Sequence, residues 1–152
     1  MKIDLSAVPT ETGTNYPAPF QSAVEGRSRQ RVGNSAGLTN FGVNLTTLAP
    51  GSQSALRHWH SAQDEFVYVV EGELLLVTDD GKQPLKAGEM AGFAAGVANG
   101  HHLVNQSNRP AIYLEIGDRT TPDQANYPDQ DLQYVPVAGG GRVFTHKDSR
   151  PY

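Results

Sequence analysis

The sequence has 152 residues, with 12 Lys and Arg against 16 Asp and Glu, which gives a formal net charge of −4. A chain of this length is expected to form one domain and to bury roughly two-thirds of the surface that it exposes when unfolded. There are no cysteines, which excludes disulfide frameworks, thiolate zinc sites, iron–sulfur clusters and cysteine nucleophiles. The acidic balance, without any basic stripe, predicts that nucleic acid is not a partner.

The first five residues, Met1 to Leu5, lack the apolar run of a secretory signal. The longest apolar runs of the chain fall far short of the roughly 20 residues that span a bilayer. We therefore expect a soluble cytoplasmic protein that has no membrane partner.

Residues 1–35 are rich in Ser, Gly, Thr, Asn and Pro, which predicts an N-terminal arm with little structure of its own. Beyond them, apolar and polar residues alternate with a period of two, and no segment shows a long helical period. The clearest predicted strands, in chain order, are 40–48, 65–70, 73–78 and 111–116.

Turn residues separate these strands. Glu71-Gly72 is predicted to join two of them, and Asp79-Asp80-Gly81 predicts a hairpin because Asp-Gly tolerates the positive φ angles of tight turns. Many short strands at intervals of about 8–12 residues predict an all-β sandwich or barrel. We assign residues 36–118 to its core. Residues 119–152, which are polar and rich in Pro and Gly, are predicted to form a C-terminal tail that packs on it.

Four of the five histidines fall in two short clusters. His58 and His60 are two residues apart, so on a strand their imidazoles leave the same face and suit one metal ion. Glu65 follows at the start of the next predicted strand. The second cluster is His101 and His102, which alternation places on opposite faces of a strand. Without cysteine, any metal must be held by His, carboxylates and water.

Two stretches of the sequence resemble the two motifs of the cupin superfamily. The first runs from Gly51 through H-W-H at 58–60 and Glu65 to Gly72, and the second runs from Gly88 to Asn105. The resemblance implies an all-β fold, the cupin double-stranded β-helix or jelly-roll barrel, here with an N-terminal arm and a C-terminal tail. It also implies the metal ligands, which matched by position are His58, His60, Glu65 and His101.

The sequence departs from these motifs at three points. The spacing between the first glycine and the H-x-H pair is one residue longer than usual. Ala94 stands where the family generally has Pro, and the stretch 97–100 adds two residues before the second cluster. We assign His101 rather than His102 as the fourth ligand, because His101 keeps the spacing of the motif to Asn105.

Such a ligand set predicts one divalent transition metal, which could be Zn, Mn, Fe, Ni, Co or Cu. Up to two open coordination positions would mark a catalytic rather than a structural site. We expect a metal-dependent enzyme of isomerase or lyase type that acts on a small oxygen-rich substrate, either a sugar derivative or a small organic acid. Two alternatives stay open, an Fe- or Cu-dependent dioxygenase and a non-catalytic small-molecule-binding or sensing barrel, because no catalytic residue can be assigned from the sequence.

The segments 101–105 and 144–152 are similar to those of a bacterial subgroup of small cupins, some of which are named sugar-phosphate isomerases by analogy alone. Neither a phosphate-binding P-loop nor a dinucleotide fingerprint is present, so no nucleotide cofactor is expected. Exposed edge strands invite pairing with another chain. Because cupins commonly dimerise in this way, we expect a homodimer.

Overall fold

The computed structural model describes residues 2–152; Met1, the first residue of the predicted arm, lies outside the described residues. Within this range the chain forms thirteen strands, one short α-helix and two 3-10 helices. The strands are β1 (Thr10–Thr12), β2 (Arg27–Gln30), β3 (Phe41–Leu48), β4 (Trp59–His60), β5 (Glu65–Glu71), β6 (Glu73–Thr78), β7 (Gly81–Lys86), β8 (Met90–Phe93), β9 (His102–Val104), β10 (Ala111–Asp118), β11 (Ala125–Tyr127), β12 (Leu132–Pro136) and β13 (Arg142–Thr145). The α-helix α1 spans Val32–Ser35, and the 3-10 helices span Leu5–Ala7 and Ala18–Val24.

The strands form two layers. One layer is a six-stranded sheet in the order β1-β2-β3-β10-β5-β8. The other consists of a four-stranded sheet, β13-β12-β11-β4, and a three-stranded sheet, β7-β6-β9. An isolated antiparallel bridge between His58 and His101 joins these two smaller sheets. The fold is thus mostly β with jelly-roll strand pairing, as the sequence predicted.

All four predicted strands are confirmed, as β3, β5, β6 and β10, with bounds that differ by at most two residues. The predicted hairpin is also present, since Thr78 pairs with Gly81 across the turn between β6 and β7. Gly72 between β5 and β6 has φ +82°, and a Cβ atom there would lie 3.1 Å from Cα of Ala111. Only glycine fits this turn, because both the backbone conformation and the close approach exclude a side chain.

The two ends of the chain contain more regular structure than their composition predicts. In the N-terminal stretch, β1 pairs with β2 and β2 extends the six-stranded sheet by pairing with β3. In the C-terminal stretch, β11, β12 and β13 form a sheet that pairs with β4. Both ends form strands that pair with the edges of existing sheets. Because this pairing uses backbone hydrogen bonds, amino-acid composition gives little indication of it. The boundaries at residues 35 and 118 stay predictions.

Two apolar clusters fill the interior. The first lies between the six-stranded and three-stranded sheets and consists of Leu48, Val67, Val69, Leu74, Leu76, Leu85, Leu103, Ala111 and Tyr113. The second joins the two ends of the chain and consists of Tyr16, Val24, Leu56, Ala125, Tyr127 and Leu132. Among the described residues, no helix has both the length and the apolar character that crossing a membrane requires.

Candidate metal centre

The site is built around a pair of histidines that face each other across the junction of the two smaller sheets. The His58 amide donates to the His101 carbonyl at 3.2 Å, and the His101 amide donates to the His58 carbonyl at 2.9 Å. Residues that exchange both backbone hydrogen bonds present their side chains on the same face of a sheet. The two imidazole centroids accordingly lie 5.2 Å apart.

The other two predicted residues reach the same point from different directions. His60 follows His58 by two residues, so its ring leaves the same face, with its centroid 5.1 Å from that of His58. Glu65 begins β5 in the facing six-stranded sheet and approaches the imidazoles across the interior. Its Oε2 lies 2.9 Å from Nε2 of His101, 3.8 Å from Nε2 of His58 and 3.7 Å from Nε2 of His60.

This arrangement brings together all four residues that the sequence predicts as metal ligands. One donor atom from each of His58, His60 and Glu65 lies within 4.8 Å of the others, so this group could hold a metal ion. His101 joins the group through its contact with Glu65. His102 instead directs Nδ1 to the backbone oxygen of Ala55 at 2.9 Å.

Backbone and carboxylate oxygens fix the orientation of two imidazoles. Nδ1 of His58 lies 2.8 Å from the Leu56 carbonyl oxygen, and Nδ1 of His60 lies 2.7 Å from Oδ2 of Asp123. A carbonyl and an ionised carboxylate accept hydrogen bonds only, so Nδ1 carries the proton in both rings. Nε2 of each neutral imidazole therefore bears the lone pair that a metal needs.

Asp123 is itself held firmly. It is 2 % exposed, accepts a hydrogen bond from the Ala62 amide at 2.9 Å and forms an ion pair with Arg142 at 2.7 Å. Burial alone would raise the pKa of Asp123, but its hydrogen bonds from His60 and Ala62 and the charge of Arg142 lower that pKa below the usual range. Asp123 thus stays ionised and keeps His60 in one tautomer.

Two aromatic rings enclose the histidines. The Phe93 ring stacks on His101 with centroids 3.5 Å apart and an angle of 2° between the planes. Tyr127 stacks on His58 with centroids 5.5 Å apart. Phe93 packs against the first apolar cluster and Tyr127 belongs to the second, so the site lies between the two. Side-chain exposures are 9–20 % for the three histidines and Glu65.

Burial and mutual contact shift the pKa values of this group. Burial lowers the pKa of His58 to about 4, and the neighbouring His101 and His60 lower it as well, while Glu65 opposes them. Burial by itself raises the pKa of Glu65, but the hydrogen bond from His101 and the three imidazoles lower it to about 2. At neutral pH the protein therefore presents an ionised carboxylate beside a neutral His58.

Cavities open on both sides of the group. One, of about 200 Å³, is lined by His58, Glu65 and His101 together with polar residues of β2 and β10. The other, of about 370 Å³, shares Glu65, Phe93 and His101 and extends toward β6 and β7. The donor atoms are thus reachable by small molecules.

The comparisons with known proteins agree with this geometry. A family model described as a cupin domain matches residues 44–117. A crystal structure of a sugar phosphate isomerase of the cupin superfamily from Silicibacter pomeroyi is 45 % identical with a TM-score of 0.95, over 100 % of this chain and 96 % of that one. The chain belongs to the cupin superfamily.

Other solved structures are more distant from this cupin. A protein from Acidithiobacillus ferrooxidans, provisionally named a sugar phosphate isomerase, is 26 % identical with a TM-score of 0.74, over 83 % of this chain and 80 % of that one. The polyketide cyclase RemF from Streptomyces resistomycificus is 17 % identical with a TM-score of 0.65, over 81 % of this chain and 82 % of that one, and shows the fold alone. No curated protein matches the sequence.

Sequence reasoning missed several residues that shape this cupin site. Asp123 lies in the polar C-terminal stretch, and only the pairing of β11 with β4 carries it to His60. Phe93, at the end of β8, stacks directly on His101. The N-terminal stretch supplies Arg27 and Arg29 to the cavity wall. Of these residues, only Arg27 and Arg29 form a recognisable sequence pattern. Their i, i+2 spacing would place both side chains on one face of a strand.

We expect the free energy of unfolding of the metal-free cupin to fall as the pH drops below about 6.5. The pKa of His58 is about 4 in the folded protein against 6.5 in the unfolded chain, so between these values only the unfolded chain takes up the proton. The loss is roughly 2 kcal/mol between pH 7 and pH 5. Glu65, with a pKa of about 2 against 4.5, adds a second loss below pH 4.5.

Urea unfolding in EDTA between pH 7 and pH 5 measures the first loss. His58→Gln is the control, because it removes the titrating group and should flatten this part of the profile. Equal pH dependence in the wild type and in the variant would contradict the assignment to His58.

Proposed function

We propose that this cupin binds one divalent transition metal through His58, His60, Glu65 and His101 and is a metal-dependent enzyme of isomerase or lyase type. The observation that carries the proposal is the approach of three imidazoles from one layer and one carboxylate from the other to a common point beside two cavities. Nitrogen and oxygen donors of this kind suit Zn, Mn, Fe, Ni, Co and Cu.

The residues around the donors fit a resident metal. Nδ1 of His58 and of His60 is engaged by Leu56 and Asp123, which leaves Nε2 free in both rings. Such outer partners are typical of metal-binding histidines and raise their affinity. Glu65 supplies a negative charge that offsets part of the charge of a divalent ion.

The substrate class follows from the cavity and from the relatives. The 200 Å³ cavity is small, and charged and hydroxyl side chains line much of it, which suits a compact oxygen-rich molecule such as a sugar derivative or a small organic acid. The two solved structures at 45 % and 26 % identity both carry the name sugar phosphate isomerase. These names favour the isomerase over the dioxygenase and over a non-catalytic barrel.

The chain's own residues would orient the substrate and exclude water. A bound divalent metal would supply Lewis acidity that stabilises negative charge on a substrate oxygen. Burial, with the nearby Tyr16, raises the pKa of Tyr127, so its hydroxyl stays protonated at the cavity wall. Phe93 and Tyr127 cover two imidazoles and keep bulk water from them. Glu115, held by Asn44 at 3.2 Å, is a further carboxylate in the same cavity.

We expect untagged protein to hold about one equivalent of metal, and His101→Ala to lose most of it. His102→Ala is the matched control and should keep the metal, because its ring bonds the Ala55 carbonyl instead of the site. Elemental analysis of the three proteins, each verified as folded by circular dichroism, makes the measurement. Metal retention in His101→Ala combined with loss in His102→Ala would overturn the ligand assignment.

We expect metal-free protein to stay folded at 25 °C, to be inactive and to regain turnover with one particular divalent ion. The assay follows aldose and ketose phosphates by proton NMR in D₂O, where isomerisation through proton transfer incorporates deuterium at the carbon next to the carbonyl. Oxygen consumption without such exchange would identify a dioxygenase. A tightly bound ligand without turnover would identify a binding barrel.

We also propose a homodimer that forms through the outer face of the six-stranded sheet. Its edge strands β1 and β8 have only 3 and 4 residues, which disfavours dimerisation by edge pairing. The outer face instead carries a continuous apolar surface across β3, β10, β5 and β8. This surface consists of Val43, Leu45, Ile112, Leu114, Ile116, Phe66, Tyr68, Val70 and Met90, of which Phe66, Val70 and Met90 are 37–55 % exposed.

In a twofold dimer the same apolar rows of both copies would meet and be removed from water together. We expect twice the monomer mass of 16.4 kDa at micromolar concentration by light scattering, and a shift to monomer in Leu114→Arg. The control is Val143→Arg, an exposed apolar residue on β13 outside this face. A monomeric wild type would contradict the dimer without affecting the metal site.

A further inference from the structure

The cavity beside the metal centre has a basic wall at the end away from the metal ligands. Arg27 and Arg29 of β2 lie on the inner face of the six-stranded sheet, because they pair with the buried Leu48 and Thr46 of β3. Both arginines line the 200 Å³ cavity that also contains His58 and Glu65. The proposed function gives these arginines no role.

The positive charge of this wall is only partly balanced. Arg29 forms an ion pair with Glu115, with 3.5 Å between Nη2 and Oε2. Arg27 donates to the backbone oxygens of Ser54 at 2.5 Å and Gly13 at 3.1 Å, and has no carboxylate partner among the described residues. At this wall two guanidinium groups therefore face one carboxylate, Glu115, while the other carboxylate of the cavity, Glu65, belongs to the metal-ligand group. Burial lowers the pKa of Arg27, and repulsion from Arg29 lowers it further.

Unused hydrogen-bond donors are found at the same wall. Nε of Arg29 and Oη of Tyr113 are buried and have no hydrogen-bond partner among the described residues. Tyr113 is 1 % exposed and lines the cavity. It stands on β10 directly opposite Thr46, which in turn pairs with Arg29. Buried donors are nearly always satisfied, so the unpaired Nε of Arg29 indicates an acceptor from outside the described residues. The Tyr113 hydroxyl has Oγ1 of Thr46, which is also buried and without a hydrogen-bond partner within residues 2–152, as its polar neighbour on the chain, and it can turn to the same external acceptor.

We propose that Arg27, Arg29 and Tyr113 form a subsite for an oxyanionic group of the substrate, a phosphate or a carboxylate. Guanidinium groups bind both groups with charge-assisted hydrogen bonds. The inference rests on the proposed function in one respect only, because it assigns this anion to the molecule that reacts at the metal centre.

The placement of the subsite fits a small substrate with its anionic group at one end. The strand of Arg29 and the strand of Glu65 are three strand spacings apart in the order β2-β3-β10-β5, which is about 14 Å. Both side chains extend into the cavity between them. A substrate anchored by its anion at β2 therefore presents its other end to His58, Glu65 and His101.

The opposite cavity lacks these features. Its lining contains the carboxylates of Glu65 and Asp80 and, within residues 2–152, no Lys or Arg. Each cavity is lined by two carboxylates, but only the β2-side cavity adds two arginines, so an anion is favoured on that side. The charge distribution thus assigns the two cavities different roles, with the anionic substrate in the smaller one.

The test is titration of the full-length protein, as purified, with inorganic phosphate by isothermal calorimetry at constant ionic strength. We expect one saturable site, and we expect Arg29→Gln to weaken phosphate binding at least about tenfold, the effect of losing a charge-assisted contact. Arg109→Gln removes an exposed loop charge outside the cavity and should change nothing. Acetate is titrated in parallel. Tighter binding of acetate would indicate a carboxylate subsite, and tighter binding of phosphate would indicate a phosphate subsite.

Tyr113→Phe separates a binding role from a packing role. It should weaken phosphate binding severalfold while the protein stays folded, whereas a hydroxyl without a role in binding would leave the affinity unchanged. The subsite is overturned if neither ion saturates, or if Arg29→Gln and Tyr113→Phe both bind phosphate as the wild type does. Metal content, measured on the same samples, tests the metal centre separately, because Arg29→Gln should retain the metal.

Discussion

The reciprocal backbone pair between His58 and His101 is the constraint on which the site depends. It is the only bridge recorded between the four-stranded and three-stranded sheets within residues 2–152, and it places two imidazoles from distant parts of the chain on one face. Strand alternation then places the His60 ring on the same face as His58. Glu65 reaches the three rings from the facing six-stranded sheet. Loss of this pairing would separate the histidines even if every side chain were retained.

A cluster of three imidazoles and two carboxylates inside a protein is costly unless its polar atoms find partners. Here Leu56 and Asp123 each accept from one ring, while Glu65 contacts all three rings. The exception is His101, whose Nδ1 is buried without a partner among the described residues. Phe93 stacks on this ring and Glu65 contacts its Nε2, but no outer partner fixes its Nδ1 as Leu56 and Asp123 do for the other two rings.

Much of the fold could be predicted from the sequence, because alternation and turn residues are local patterns, whereas the four proposed ligands were implied by the resemblance to the cupin motifs. Alternation identified β3, β5, β6 and β10, and the H-x-H spacing with Glu65 pointed to a common metal site. The contact of Asp123 with His60 could not be predicted, because only the pairing of β11 with β4 brings these two distant parts of the chain together. Arg27 lay in a stretch whose composition suggested little structure, and its role depends on β2 joining the edge of β3.

The positions of the site residues along the sequence have an evolutionary consequence. All four proposed ligands lie within residues 44–117, the part that the cupin family model matches, whereas Arg27, Asp123 and Tyr127 lie outside it. The two arginines of the proposed anion subsite and the carboxylate that orients His60 are thus encoded outside the segment that carries the proposed ligands, while Tyr113 of the subsite lies within it. Substitutions in the flanking segments can change which molecule is accepted without altering the ligands, which allows relatives with one metal centre to diverge toward different substrates.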